Sequence, residues 1–188
     1  MILLRKLSST LTHVSNDSLP KMVDVGIKNI TRRTAIASCK VILPQEVALI
    51  VKKSIKDRNE DKNTTCHKTI NEIYGTKGAV FQTAQLAGIM ASKKTSELIP
   101  LCHQINLDKC DMKINFENEL SSTIAVECTA VTTGKTGVEM EALVGASNGA
   151  LTIYDMCKAL SNEIIITDLR LESKTGGKTN FKRKDRIE

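Results

Sequence analysis

The chain has 188 residues, 41% hydrophobic and 26% charged, with a net charge of +6 and a pI near 9.0. That length suits one domain with its own core, and no apolar run approaches the roughly 20 residues of a bilayer-spanning helix, so a soluble protein is expected. The positive balance favours an anionic partner such as a phosphorylated metabolite or a nucleic acid, but 3% aromatic residues and no Trp leave few stacking platforms for single-stranded bases.

Residues 1–21 carry Arg5, Lys6 and Lys21, are rich in Ser, Thr and Leu, and contain one acid, Asp17. This is the composition of a short mitochondrial transit segment or of an ordinary N-terminal extension, with a mitochondrial or a cytoplasmic location respectively. The folded part is expected from Met22 to the end. Residues 33–43 predict a strand of β-branched and small residues, and Pro44 opens a predicted helix to about residue 55, with Val47, Ile50 and Val51 on one side. Residues 56–72 are highly polar and predict a solvated loop insertion, in which Asn63-Thr64-Thr65 matches a glycosylation acceptor by chance.

A second helix is predicted over 78–94, with Val80, Ala84, Ala87, Ile89 and Met90 on its apolar side. In 105–116 the apolar positions are 105 and 107, then 110, 112, 114 and 116, a change of phase that predicts a strand with a bulge near Asp108. Residues 122–132 alternate through Ile124, Val126, Cys128 and Ala130 and predict a second strand. A long helix follows over 138–160, striped by Leu143, Ala146, Ala150, Ile153, Cys157 and Leu160. Residues 164–173 predict the last strand. The order strand, helix, helix, strand, strand, helix, strand predicts an α+β fold, a ferredoxin-like antiparallel sheet covered by helices. Of six cysteines none forms a Cys-x-x-Cys pair, and Cys110, Cys128 and Cys157 fall at apolar periodic positions, so packing is expected and no metal site.

Residues 142–154 contain no charge, the pattern of a helix buried all round, and Gly145, Ala146, Ser147, Gly149 and Ala150 admit a close neighbour. Asp155 and Lys158, three apart, share the face opposite the stripe. They read either as a surface ion pair or, beside such uncharged surroundings, as a partly buried acid and base. Glu139 and Glu141 open the helix, where the helix dipole favours acids. Neither Gly134-Lys135-Thr136 nor Gly177-Lys178-Thr179 is a phosphate-binding P-loop, because Thr129 and Glu172 stand where that motif needs Gly. His103 is a candidate proton carrier; its neighbour Cys102 would face the other side of an extended segment and reads as packing. Arg32, Arg33, Lys77, Lys93, Lys94, Lys135, Lys174 and Lys178 include several that flank glycines, where side chain and backbone can both reach phosphate. Residues 77–81 echo an RNA-recognition motif, but Ala79 stands where an aromatic is required.

Six segments in order resemble the cyclic pyranopterin monophosphate synthase (MoaC-like) family: Met22-Val23-Asp24-Val25, Lys77-Gly78 with Ala87-Gly88, Leu98-Ile99-Pro100-Leu101-Cys102-His103, Thr136-Gly137-Val138-Glu139-Met140-Glu141, Tyr154-Asp155-Met156-Cys157-Lys158 and Lys174-Thr175-Gly176-Gly177-Lys178. The resemblance implies an enzyme of molybdenum cofactor biosynthesis that follows a radical SAM GTP cyclase. It would convert 3′,8-cyclo-7,8-dihydroguanosine triphosphate to cyclic pyranopterin monophosphate and diphosphate, and no cofactor is expected. It also implies a homohexamer built as a trimer of dimers, with active sites at subunit interfaces. By position it makes Asp155, Lys158, Lys77, His103, Glu139 and Glu141 catalytic candidates. Cys102, His103, Glu139, Met140, Glu141, Arg33, Lys93 and Lys174 become substrate-binding candidates, with Arg33, Lys93 and Lys174 on the triphosphate. The chain departs from the family at the 56–72 insertion and at Gln104, where Pro or His is common. The competing expectations are a basic RNA-binding module without catalysis, which does not account for Asp155 and Lys158 beside an uncharged helix, and a structural partner of another enzyme, which product formation by the purified chain from pre-cyclised substrate would exclude.

Overall fold

The computed structural model describes residues 20–60, 73–75 and 78–184, with side chains placed except at 54–60, 74 and 75. Strand β1 (Thr31–Ile42) alternates as its sequence requires: Ala35, Ala37, Cys39 and Val41 are buried under the helices, and Ile36, Ser38 and Lys40 face the open side. It is the central strand. β5 (Thr123–Gly134) pairs with one edge of it and β6 (Ile165–Thr175) with the other, both antiparallel. β4 (Lys109–Phe116) pairs outside β5, and the short β7 (Phe181–Lys182) outside β6, which gives the order β4-β5-β1-β6-β7.

The four long strands, taken in chain order, lie in the order second, third, first, fourth. That is the split β-α-β arrangement of a ferredoxin-like sheet, as the order of predicted elements implied. The small β2 (Tyr74–Gly75) and β3 (Gly78–Ala79) form a separate ribbon ahead of α2.

Helix α1 (Gln45–Glu60) follows β1 and buries Val47, Ala48 and Val51, whereas Ile50, expected on its buried side, is exposed. It continues to Glu60, so the first five residues of the expected loop are helical; 61–72 lie outside the described residues, as do 1–19. Helix α2 (Val80–Lys93) buries Val80, Phe81, Ala84, Gly88 and Ala91 and leaves Met90 exposed, a rotation from the expected face caused by its close contact with α4 (Glu139–Cys157). A Cβ on Gly88 would stand 2.9 Å from the Gly145 carbonyl, and one on Gly145 would stand 2.3 Å from Ser92 Oγ and 2.6 Å from Cys128 Sγ. The small residues of α4 therefore admit α2 and β5 of the same chain. A short α3 (Thr95–Leu98) ends this unit.

β4 pairs with β5 without interruption from Lys109 onward. Just ahead of it, Asp108 N donates at 2.8 Å to the carbonyl of Val131, the residue that pairs with Lys109, and Asp108 and Lys109 are both exposed. Two successive residues thus meet one partner where the apolar phase changes, in keeping with the bulge expected near Asp108. Further register shifts lie in β6, between its pairings with Ile36 and Ala37 and between those with Ser38 and Lys40, and Asp168 nearby takes φ 56°. Residues Leu171 and Lys174, three apart, consequently pair with Ala37 and Ala35 and both face the helices.

Candidate active site

β5 ends at Gly134 and α4 starts at Glu139; the turn between them divides a cleft at one end of the sheet. On one side lies a cavity of about 440 Å³ whose lining includes Lys28, Arg33, Lys174 and Lys178. On the other lies one of about 240 Å³ lined by Cys102, His103, Met140 and Glu141 among others. Thr136, Gly137 and Glu139 border both. The result is a cleft with a cationic half and an acid–base half.

The cationic half is built by strand parity. Arg33 shares the helix-facing side of β1 with Ala35, and Lys174 pairs opposite Ala35 on β6, so both project past the start of α4. Arg33 Nε donates to the Gly134 carbonyl at 3.0 Å, which holds the guanidinium over the turn. Beyond β6 the chain must double back, and Gly176 (φ 80°) makes this possible: a Cβ there would stand 1.9 Å from the Arg32 carbonyl oxygen. Thr31 Oγ1 donates to the Gly176 carbonyl at 2.6 Å and pins the return that brings Lys178 to the cavity.

Lys174 Nζ meets Glu139 Oε1 at 3.0 Å across the boundary between the halves. The Glu139 carboxylate folds over Gly137, where a Cβ would be 1.9 Å from Oε2; only glycine leaves it that place. Glu141, one turn position on, is buried with 3% exposure. Burial, reinforced by the neighbouring Glu139 charge, pushes its carboxyl up to about 7 even though it sits in the first turn of a helix. A carboxyl near 7 is divided between acid and base at neutral pH, which suits proton transfer in either direction. Burial and then the Glu141 charge raise the Cys102 thiol above its ordinary range, so it keeps its proton and forms wall rather than nucleophile. His103 Nε2 lies 2.7 Å from the Val23 carbonyl oxygen.

One chain thus gathers Arg33, Cys102, His103, Glu139, Met140, Glu141 and Lys174 around one cleft. It does not bring Asp155 and Lys158 there. Asp155 lies 16 helical residues from Glu139, roughly 24 Å at 1.5 Å per residue, and Lys158 lies three residues further on. The pair is formed, Nζ to Oδ1 at 2.8 Å, and the hydrogen bond to Asp155, followed by its charge, raises Lys158 above the ordinary lysine range. Its side chains are 53% and 51% exposed, so the partial burial expected for them is absent within one chain, because Met156 and Cys157 occupy the core side of this last turn. Lys93, at the end of α2, lines neither half of the cleft. Lys77 lies outside the described residues. Lys28 and Lys178 join the cationic half; Lys178 stood among the basic residues flanking glycines, whereas no spacing marked Lys28. Among the described residues no three His, Cys, Asp or Glu side chains converge as a metal-binding group, and no helix is long and apolar enough to cross a membrane.

The sequence profile of the MoaC family matches residues 22–177. The chain is 42% identical over 169 residues to a cyclic pyranopterin monophosphate synthase of Heliobacterium modesticaldum, an alignment covering 90% of this chain and 94% of that protein. It is 44% identical over 170 residues to the protein of the same name from Staphylococcus aureus (strain MRSA252), covering 89% and 92%. It is also 44% identical over 176 residues to molybdenum cofactor biosynthesis protein 1 of Dictyostelium discoideum; there the match covers 92% of this chain but only 27% of the longer relative. The matched region runs from the Met22 segment to Gly177 and takes in the Asp155–Lys158 turn and both halves of the cleft up to, but not including, Lys178; on that extent and identity the chain belongs to the MoaC family.

Proposed function

We propose that this chain is a cyclic pyranopterin monophosphate synthase of molybdenum cofactor biosynthesis, acting on a 3′,8-cyclised dihydroguanosine triphosphate supplied by a radical SAM GTP cyclase. The supporting observation is the two-part cleft. Arg33, Lys174, Lys28 and Lys178 suit a triphosphate, while His103, Glu139 and Glu141 stand where the purine-derived rings would lie. Ring opening and rearrangement move several protons within one bound intermediate, which His103 and the pair of glutamates serve as acids and bases. Closure of the cyclic phosphate then forms a new oxygen–phosphorus bond as diphosphate leaves. Charge develops on that leaving group, and the cationic half stabilises it. Substrate phosphate competes for Lys174 with Glu139, so binding frees that carboxylate for proton transfer.

The catalytic domain comprises residues 22–188 with a polar insertion before Lys77. Its working form is a homohexamer, a trimer of dimers, whose active sites combine the start of α4 from one chain with Asp155 and Lys158 from another. The roughly 24 Å between these groups along one helix supports that reading. Lys77 and Lys93 belong to the same composite site. Residues 1–21 direct the chain to mitochondria; a chain starting at Met22 that is still imported overturns this part.

The test is single-turnover conversion of the cyclised triphosphate by wild type and by Asp155→Asn and Lys158→Ala, following pyranopterin and diphosphate together. Wild type turns over; the variants bind and stall. Mixing Asp155→Asn with Arg33→Ala subunits after dissociation restores activity to about a quarter of wild type, the fraction of sites that draw both intact halves in a randomly mixed symmetric oligomer. No recovery from mixed subunits refutes shared sites. An inert, folded and oligomeric wild type refutes the activity.

A further inference from the structure

The segment preceding β1 lies on the cleft. Its residue Val23 meets His103, Lys135 Nζ donates to the Gly26 carbonyl at 2.6 Å, and Lys28 reaches the cationic half. The segment also fixes its own bend, with Gly26 N donating to Asp24 Oδ1 at 2.7 Å and Lys28 N to the Val25 carbonyl at 3.1 Å. A backbone 80 positions away in sequence is therefore part of the acid–base half.

A carbonyl oxygen can only accept, so the imidazole nitrogen facing it carries a proton. We propose that the Val23 main-chain carbonyl is a positioning group that fixes neutral His103 as its Nε2–H tautomer and leaves Nδ1 as the nitrogen that exchanges protons with substrate. This rests on the reading of the cleft as a pyranopterin-forming site. His103 then takes one proton from the bound intermediate at Nδ1 and returns one to it, so the ring is neutral before and after. While Nδ1 is protonated the ring is a cation, and its Nε2–H bond to Val23 becomes charge-assisted and stronger.

The direct test is nitrogen-15 NMR of the imidazole rings in the full oligomeric protein. The three histidines are His13, His67 and His103, and loss of one ring's signals in His103→Gln assigns the third. In the neutral ring, the expected result is a protonated-type shift at Nε2 and an unprotonated-type shift at Nδ1. A dominant Nδ1–H form, or an even mixture, overturns the proposal. His103→Gln supplies the second arm: its amide N–H reaches the Nε2 position and keeps the Val23 bond, but offers no base. Substrate affinity should stay within a few-fold of wild type while the single-turnover rate falls about 100-fold or more, the usual contribution of a general base. A wild-type rate in His103→Gln would mean that the ring only anchors the segment, and would overturn the proposal. The NMR result does not depend on turnover, so a wild type inert toward the cyclised triphosphate would refute the proposed function while the tautomer is read separately.

Discussion

Glu141 carries a measurable conflict between folding and chemistry. Its carboxyl is pushed from 4.5 to about 7, chiefly by burial. The folded chain therefore holds this proton more tightly than the unfolded chain does. The associated stability is fully present below pH 4.5 and is lost as the pH rises toward 7; above that, the fold bears a buried charge. A rise of that size corresponds to a ceiling of about 3 kcal/mol at 1.36 kcal/mol per tenfold change in acidity. Water in the adjoining cleft lowers the real figure. Glu141→Gln removes the charge and keeps the shape, so it should gain stability over wild type only as the pH rises. Thermal melts at fixed protein concentration from pH 4.5 to 8 should show the Tm difference growing by about 3 °C at least, since a protein of this size moves roughly 2–4 °C per kcal/mol. The same variant should be nearly inactive in single turnover. A Tm difference that stays flat across that range would refute the assignment of a buried, high-pKa carboxyl at the mouth of α4.

Other substitutions separate binding from chemistry. Lys174→Met should weaken binding of the triphosphate about 10- to 100-fold, the scale of one hydrogen bond to a charged group, with the loss shrinking in high salt; equilibrium binding at two ionic strengths checks both. Gly137→Ala places a methyl where the Glu139 carboxylate lies, so the chain should fold with an unchanged melt while its single-turnover rate falls at least several-fold. Gly176→Ala meets the Arg32 backbone and requires a strained φ, costing about 1–3 kcal/mol locally, and should raise KM far more than it lowers kcat. Gly145→Ala presses a methyl onto Ser92 and Cys128 and should destabilise by about 1–3 kcal/mol through overpacking, seen as a lower denaturant midpoint.

The cleft explains its own electrostatics without invoking unusual chemistry. Four cations converge because two strands point Arg33 and Lys174 past a helix start, a glycine turn returns the chain with Lys178, and the segment before β1 brings Lys28. Lys174 is held by Glu139, which compensates this part of the cationic half. The exposed Asp155–Lys158 pair, in contrast, sits in surroundings where an ion pair contributes little to stability.

Much of this was legible in the sequence. Alternation in β1 and β5 and the 3.6-residue stripe of α4 set the element types, because those periods follow from backbone geometry alone. Their order was enough for the ferredoxin-like sheet, and contiguous motifs were enough for the family. Tertiary structure decided what depends on partners distant in sequence. The buried face of α2 turned on the approach of Gly88 to Gly145. Lys174 reached the helix side only through register shifts in β6, which disturb alternation and so leave no periodic signal. Lys28 and the Val23 carbonyl entered the site because a segment outside the sheet folds back over it. Glu141 looked like an ordinary first-turn acid, for which the dipole favours ionisation. Burial outweighs that preference, and burial is set by everything that packs around a residue rather than by its neighbours in the chain.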